Sequence, residues 1–249
     1  MARRSRKPDS AAERLDELQS LGDRLAEWIG ANPVLVLGSA LGILILAGGY
    51  GLFASTRESA ATSASEALSQ AHAEFREAMG ARSDELGIPE PANPATALRA
   101  RNDFVERFQE VAQAHTGTAA GALAWLQVGA LQEALGDSDA AIATWESALA
   151  EVDADSIPSA LILVRIAAAH EDAVRWLEAG EAYERAADVE SYPLRYTALA
   201  DAARCFADAG EEEKALAAFE RVESEASDYR ISDHIRSRLN ELRARRQSS

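Results

Sequence analysis

Cysteine is nearly absent from this chain: Cys205 is the only one in 249 residues. A single thiol excludes an intramolecular disulfide framework. Its distance from the hydrophobic N-terminal run also excludes a lipoprotein anchor, which needs a cysteine at the cleavage point. Set beside Phe206 in an alanine-rich helical pattern, Cys205 reads as a buried, unreactive side chain. Histidine is almost as scarce. His72, His115, His170 and His234 fall on separate segments, none spaced from another His, Cys or acid as metal ligands are. No serine occupies a nucleophile-elbow motif, and there is no phosphate loop. The cluster Gly48-Gly49-Tyr50-Gly51 lies inside a hydrophobic run, where glycine serves helix packing. These absences point away from an enzyme and imply no cofactor and no metal.

Basic residues are in deficit, with 25 Lys and Arg against 41 Asp and Glu, a net charge of -16. The first 32 residues carry equal numbers of acids and bases, so the whole excess falls on residues 33–249. A surface that acidic excludes non-specific nucleic-acid binding, which needs Lys and Arg on phosphates. It favours solubility, and its functional alternative is recruitment of basic or unfolded clients. The acidic run Glu211-Glu212-Glu213 sits at a helix start, where carboxylates suit the helix dipole and no metal need be invoked.

Charge of either sign is missing from Trp28 to Thr56. The heart of that stretch, PVLVLGSALGILILAGGYGLF, supplies the about 20 apolar residues that cross a bilayer as a helix. The polar region before it is too long, and the apolar core too long, for a cleaved signal. A single transmembrane helix over 33–54 is therefore predicted. Arg3, Arg4, Arg6, Lys7, Arg14 and Arg24 precede it, whereas Arg57 alone lies close behind it. By the positive-inside rule the N-terminus is cytoplasmic and the remainder exported, in a Gram-negative cell to the periplasm. Trp28 and Tyr50 lie near the two ends of the span, where aromatic rings favour the headgroups.

The chain thus divides into four regions. Residues 1–32 form a cytoplasmic lead whose capping box at Ser10 and Glu13 opens a short amphipathic helix with Leu15, Leu18, Leu21 and Leu25 on one face. Residues 33–54 are the span. Residues 55–94 hold a membrane-proximal helix striped with Ala61, Ala64, Leu68, Ala71, Phe75 and Met79, which reaches about Gly80, and then a loop with three prolines. Residues 95–249 are helical throughout, with short breaks at 116–118, Gly136-Asp137, 153–158, 190–193, Gly210 and 227–228. That rhythm predicts antiparallel helix pairs.

Three of these pairs superpose. The first, ALAWLQVGALQEALGDSDAAIATWESALAEVDAD, has Trp125 and Gly129 on its first helix, Gly136 at the turn, and Ala141, Trp145 and Ala148 on its second. In the second pair the last three become Ala179, Tyr183 and Ala186; in the third, Ala215, Phe219 and Val222. The separations are 38 and 36 residues. The first pair closely resembles a tetratricopeptide repeat (TPR), and the other two continue in phase, with Leu163 and Leu199 in place of Trp125 and Ala167 and Ala203 in place of Gly129. The resemblance implies an all-α fold: one N-terminal transmembrane helix followed by a TPR-like right-handed helical-repeat solenoid. A last helix, with Ile231, Ile235, Leu239 and Leu242 on one face and arginines on the other, reads as its solvating cap. With the span included, FVERFQEVAQAHTGTAAGALAWLQVGALQEALGD is similar to the YfgM-like family, ancillary subunits of the SecYEG translocon; Phe104 and Phe108 carry the helix that precedes the small-residue turn.

Repeat stacks bind along the first helices of their pairs. Phasing places Leu126, Ala130 and Glu133, then Val164, Ala168 and Glu171, then Ala200, Arg204 and Ala207 on that face, a shallow trough for an extended peptide or a partner helix. The resemblance implies a non-enzymatic scaffold in the bacterial inner membrane. Its partners would be the lipid bilayer, the SecYEG translocon, periplasmic chaperones and emerging client polypeptides. The alternative is an import or assembly receptor in another membrane, with its repeats facing the cytosol.

Overall fold

The structure is a computed structural model that describes residues 33–82, 87–226 and 228–247, the side chains of 33–55 and 247 excepted. Among the described residues every regular element is a helix, and there is no strand. The chain divides into two compact units, 1–58 and 59–249. The expected amphipathic lead over 1–32 lies outside the described residues. The expected span over 33–54 has a helical backbone, but its side chains lie outside them as well. Among the described residues no helix is long and apolar enough to cross a membrane.

Among the described residues nine helices succeed one another: α1 (Pro33–Ala78), α2 (Pro94–Ala114), α3 (Ala119–Ala134), α4 (Ser138–Leu149), α5 (Ile157–Asp172), α6 (Trp176–Ala187), α7 (Arg195–Ala209), α8 (Glu212–Glu225) and α9 (Asp233–Gln247). Side-chain oxygens fix several starts by accepting from otherwise orphaned backbone N–H groups. Asn93 Oδ1 caps α2 ahead of Pro94, accepting from Ala95 N at 3.0 Å. Thr118 Oγ1 accepts from Gly121 N at 3.0 Å, Asp137 Oδ1 from Ala140 N at 3.0 Å, and Ser156 Oγ from Ser159 N at 3.3 Å.

Helix ends are equally regular. At Gly136 and Gly210 the backbone turns left-handed, with φ of 88° and 80°, and the next residue donates back to the carbonyl five positions earlier. Asp137 N reaches Gln132 O, and Glu211 N reaches Phe206 O, both at 2.9 Å. This satisfies carbonyls the helix would otherwise leave open. The turn between α5 and α6 has the same form, Arg175 N to His170 O at 2.8 Å, although its left-handed residue is Val174 with φ 59°. No glycine or proline marks that turn, so the predicted breaks do not include it.

Packing runs from each helix to the next, and the second helix of every hairpin carries a buried aromatic. Trp145, Tyr183 and Phe219 have 0%, 8% and 0% exposure. A fourth member precedes them: Phe108, also fully buried, lies 37 residues before Trp145. Its ring meets that of His72 at 4.9 Å, tilted by 59°, and edges onto Phe75 at 6.3 Å. The part of α1 from Ala64 onward, with Met79 just past its end, thus pairs with α2 as an N-terminal hairpin, and both bury apolar faces with Ala120, Ala124, Val128 and Leu131 of α3. Of the predicted stripe, Ala64, Leu68, Ala71, Phe75 and Met79 are buried there, while Ala61 is exposed. The second core runs from α3 to α9 and closes on Ile231, Leu239 and Leu242, with Ile235 partly buried against it. The result is a solenoid-like stack in which neighbouring hairpins complete one another's cores.

Candidate functional site

The face set by the first helices α3, α5 and α7 is largely apolar and small. Ala200 is buried, and Leu126, Val164 and Ala207 are half-buried against the core. Ala130 and Ala168 remain partly exposed. Leu126 also takes part through its backbone, because its carbonyl accepts the indole N–H of Trp145 at 3.3 Å. This bond and the packing of Trp145 over Gly129 tie α4 to α3. A Cβ on Gly129 would lie 2.1 Å from Trp145 Nε1.

The charged candidates divide into two sets. Glu171 of α5 and Arg204 of α7, 33 residues apart, meet across the hairpin boundary, with Arg204 Nη2 donating to Glu171 Oε1 at 2.7 Å. The Tyr183 hydroxyl and the Cys205 thiol are directed at the same carboxylate. Burial pushes the Glu171 carboxyl up, but these donors and the Arg204 charge outweigh it and hold it below the usual carboxylate range. Tyr183 is displaced upward, first by burial and then by facing Glu171. Cys205 is pushed up to about 12, chiefly by burial, so it stays a thiol at neutral pH.

Arg204 extends the network to Asp201 at 3.5 Å and Asp208 at 3.9 Å on its own helix. Arg238 of α9 pairs with Asp208 and donates to the Ala207 carbonyl at 3.3 Å. Burial raises the Asp201 carboxyl despite Arg204 beside it. Phasing could not show that Asp201, Asp208 and Arg238 belong to this cluster. The arginines of the last helix are the only sequence signal, and they read as a solvated face.

Glu133 is not part of this cluster. Burial raises its carboxyl, Arg165 opposes the rise, and Asp172 adds to it. Neither Glu133 nor Asp172 forms an ion pair among the described residues. Arg204 and Arg238 thus answer Glu171, Asp201 and Asp208 in the C-terminal half of the face, while Glu133 and Asp172 in the α3–α5 half form no ion pair among the described residues.

The histidines stay apart. His72 is lowered by burial against Phe108. His170 is lowered by burial and by Arg175, and its Nδ1 is buried without a hydrogen-bond partner. Among the described residues no three His, Cys, Asp or Glu side chains are grouped to hold a metal ion.

The arrangement is a face of small side chains with an ion-paired cluster toward its C-terminal end. No protein-family model, curated protein or solved structure matches this chain.

Proposed function

We propose that this protein is a membrane-tethered, non-enzymatic scaffold that holds a polypeptide-binding helical stack at the bilayer. One observation carries the reading: a stack of helical hairpins with a buried aromatic every 36 to 38 residues lies after an uncharged run that has its Lys and Arg on the N-terminal side. Stacks of this kind present extended surfaces to other chains. A tether raises the effective concentration of such a surface near its target without any new contact. The resemblance to tetratricopeptide repeats and to the YfgM-like family supports an inner-membrane protein with its repeats in the periplasm. There it would contact the SecYEG translocon, periplasmic chaperones and emerging clients. The binding face would be that of α3, α5 and α7.

Photo-crosslinking in native membranes tests this, with the crosslinker at Ala130 or Ala168. Adducts with translocon subunits, chaperones or exported chains are expected, and their absence from both sites counts against the reading. Protease added to intact and to outer-membrane-permeabilised cells gives the orientation. The stack is expected to be cut only after permeabilisation; cleavage by a protease expressed in the cytosol would favour the import-receptor alternative instead.

A further inference from the structure

Away from the α3–α5–α7 face, the packing of α2 beside the α3–α4 turn leaves a cleft of about 570 Å³. Its apolar floor is Leu98 and Val105 of α2 with Leu135 at the end of α3. Leu98, near the start of α2, is 49% exposed. Asp103, Glu106 and Asp137 rim the floor, all exposed to solvent. Among the described residues none of these three carboxylates forms an ion pair. The bases of α2 that do pair turn elsewhere: Arg101 to Glu90, and Arg107 to Glu74 and Glu110.

The walls are fixed before any partner arrives. Asn102 Nδ2 donates to the Leu98 carbonyl at 2.8 Å, and Gln132 Oε1 accepts from Thr144 at 2.8 Å. Asp137 is held by its cap bond to Ala140 N. The concavity is open, and three apolar side chains share its lining with three carboxylates and two amides, a surface suited to a partner segment that is both aliphatic and basic. An apolar ligand alone would leave the carboxylates facing no counter-charge, and an acidic one would be repelled.

We propose that this cleft docks a short basic amphipathic segment of a partner protein. An aliphatic side chain of the segment sits on Leu98, Val105 and Leu135, and flanking Lys or Arg side chains face Asp103, Glu106 and Asp137. The proposal does not rest on the tether or on the orientation of the stack.

The test uses the full chain in zwitterionic nanodiscs and a leucine- and lysine-containing peptide bearing a photo-crosslinker. Adducts mapped by mass spectrometry are expected on α2 and the α3–α4 turn. The double reversal Asp103→Lys/Glu106→Lys is expected to lower their yield about tenfold. A matched reversal on exposed acids elsewhere, Glu220→Lys/Glu241→Lys, is expected to leave the yield within about twofold. Circular dichroism checks that both variants are folded. Adducts spread over the acidic surface, with equal losses in both variants, would mean unspecific charge attraction and overturn the proposal. Equal labelling of the cleft by a leucine–glutamate peptide would also overturn it. So would a dimer of the protein crosslinked through Leu98, which would assign the cleft to a second copy.

Discussion

Replacing Gly129 by alanine sets two effects of opposite sign against each other. Alanine is the better helix former by about 0.5–1 kcal/mol, and Gly129 lies within α3, so propensity alone predicts a gain. The new Cβ, however, would lie 2.1 Å from Nε1, 2.2 Å from Cε2 and 2.7 Å from Cζ2 of Trp145. Trp145 is fully buried, so its ring has nowhere to retreat, and α3 and α4 must separate. Overpacking of this kind costs about 1–3 kcal/mol, and contacts this short belong at the upper end. The net expectation is a loss of about 2 kcal/mol.

Trp145→Phe removes the clashing ring atoms and the bond to the Leu126 carbonyl, and alone should cost about 1–2 kcal/mol. In the double variant the clash is gone and the propensity gain remains. The double should thus be about as stable as Trp145→Phe alone, a coupling of about 2 kcal/mol. The neighbouring hairpins already carry the compensated pair, Ala167 with Tyr183 and Ala203 with Phe219. Urea unfolding followed by far-UV circular dichroism, with all four proteins compared by midpoint, reads the cycle. A raised midpoint for Gly129→Ala, or strict additivity in the double, would refute the steric argument.

Other expectations rest on the same physics. Val174 is β-branched, 65% exposed and left-handed, a conformation that costs an L-residue about 1–2 kcal/mol. Val174→Asn should therefore stabilise by about 0.5–1 kcal/mol, whereas Gly210→Ala, where a Cβ meets nothing within 4 Å but φ is 80°, should cost about 1 kcal/mol by the same thermal or urea measurement. Glu171→Gln should destabilise by about 1–3 kcal/mol at neutral pH. Because the Glu171 carboxyl is held below its ordinary 4.5, the stability it contributes is complete above that pH and is lost as pH falls through its native value. Asp201 has the opposite sign. Burial raises it above 3.8, so its contribution is complete below that pH and declines as pH rises through the native value. Asp201→Asn should gain stability at neutral pH and lose that advantage in acid, as urea midpoints across the acidic range would show. Cys205 should resist maleimide in the folded protein at neutral pH and react fully in urea.

The aromatic rhythm makes most of the stack legible. Trp145, Tyr183 and Phe219 fall in phase, and so do the alanines around them. Phe108 is legible as a marker of the helix before the first repeat, but not as a member of the same series, because the proline-bearing loop between α1 and α2 hides the hairpin they form. The turn at Val174 is hidden for a different reason. Its residue type opposes the conformation it adopts, and only its position, 38 after Gly136 and 36 before Gly210, marks it. On the candidate face, phasing names positions but not partners. It places Glu171 and Arg204 in separate repeats as binders, while in the structure they hold each other. It leaves the α2 cleft unseen, since Leu98 and Leu135 come from separate hairpins that only packing brings together.

The ion pairs between successive hairpins share one direction. Arg204 reaches back to Glu171, Lys214 to Glu181, Arg221 to Asp188 and Arg246 to Glu213, each over 33 residues. Arg175 to Asp139 does so over 36. In each of these the base is the later residue. A ribosome making this chain therefore lays down each acid before the cation that will answer it. The growing edge of the stack stays negatively charged until the next hairpin docks, which keeps incomplete stacks apart by mutual repulsion. A chain ended after α6 would leave Glu171, Glu181 and Asp188 without these partners.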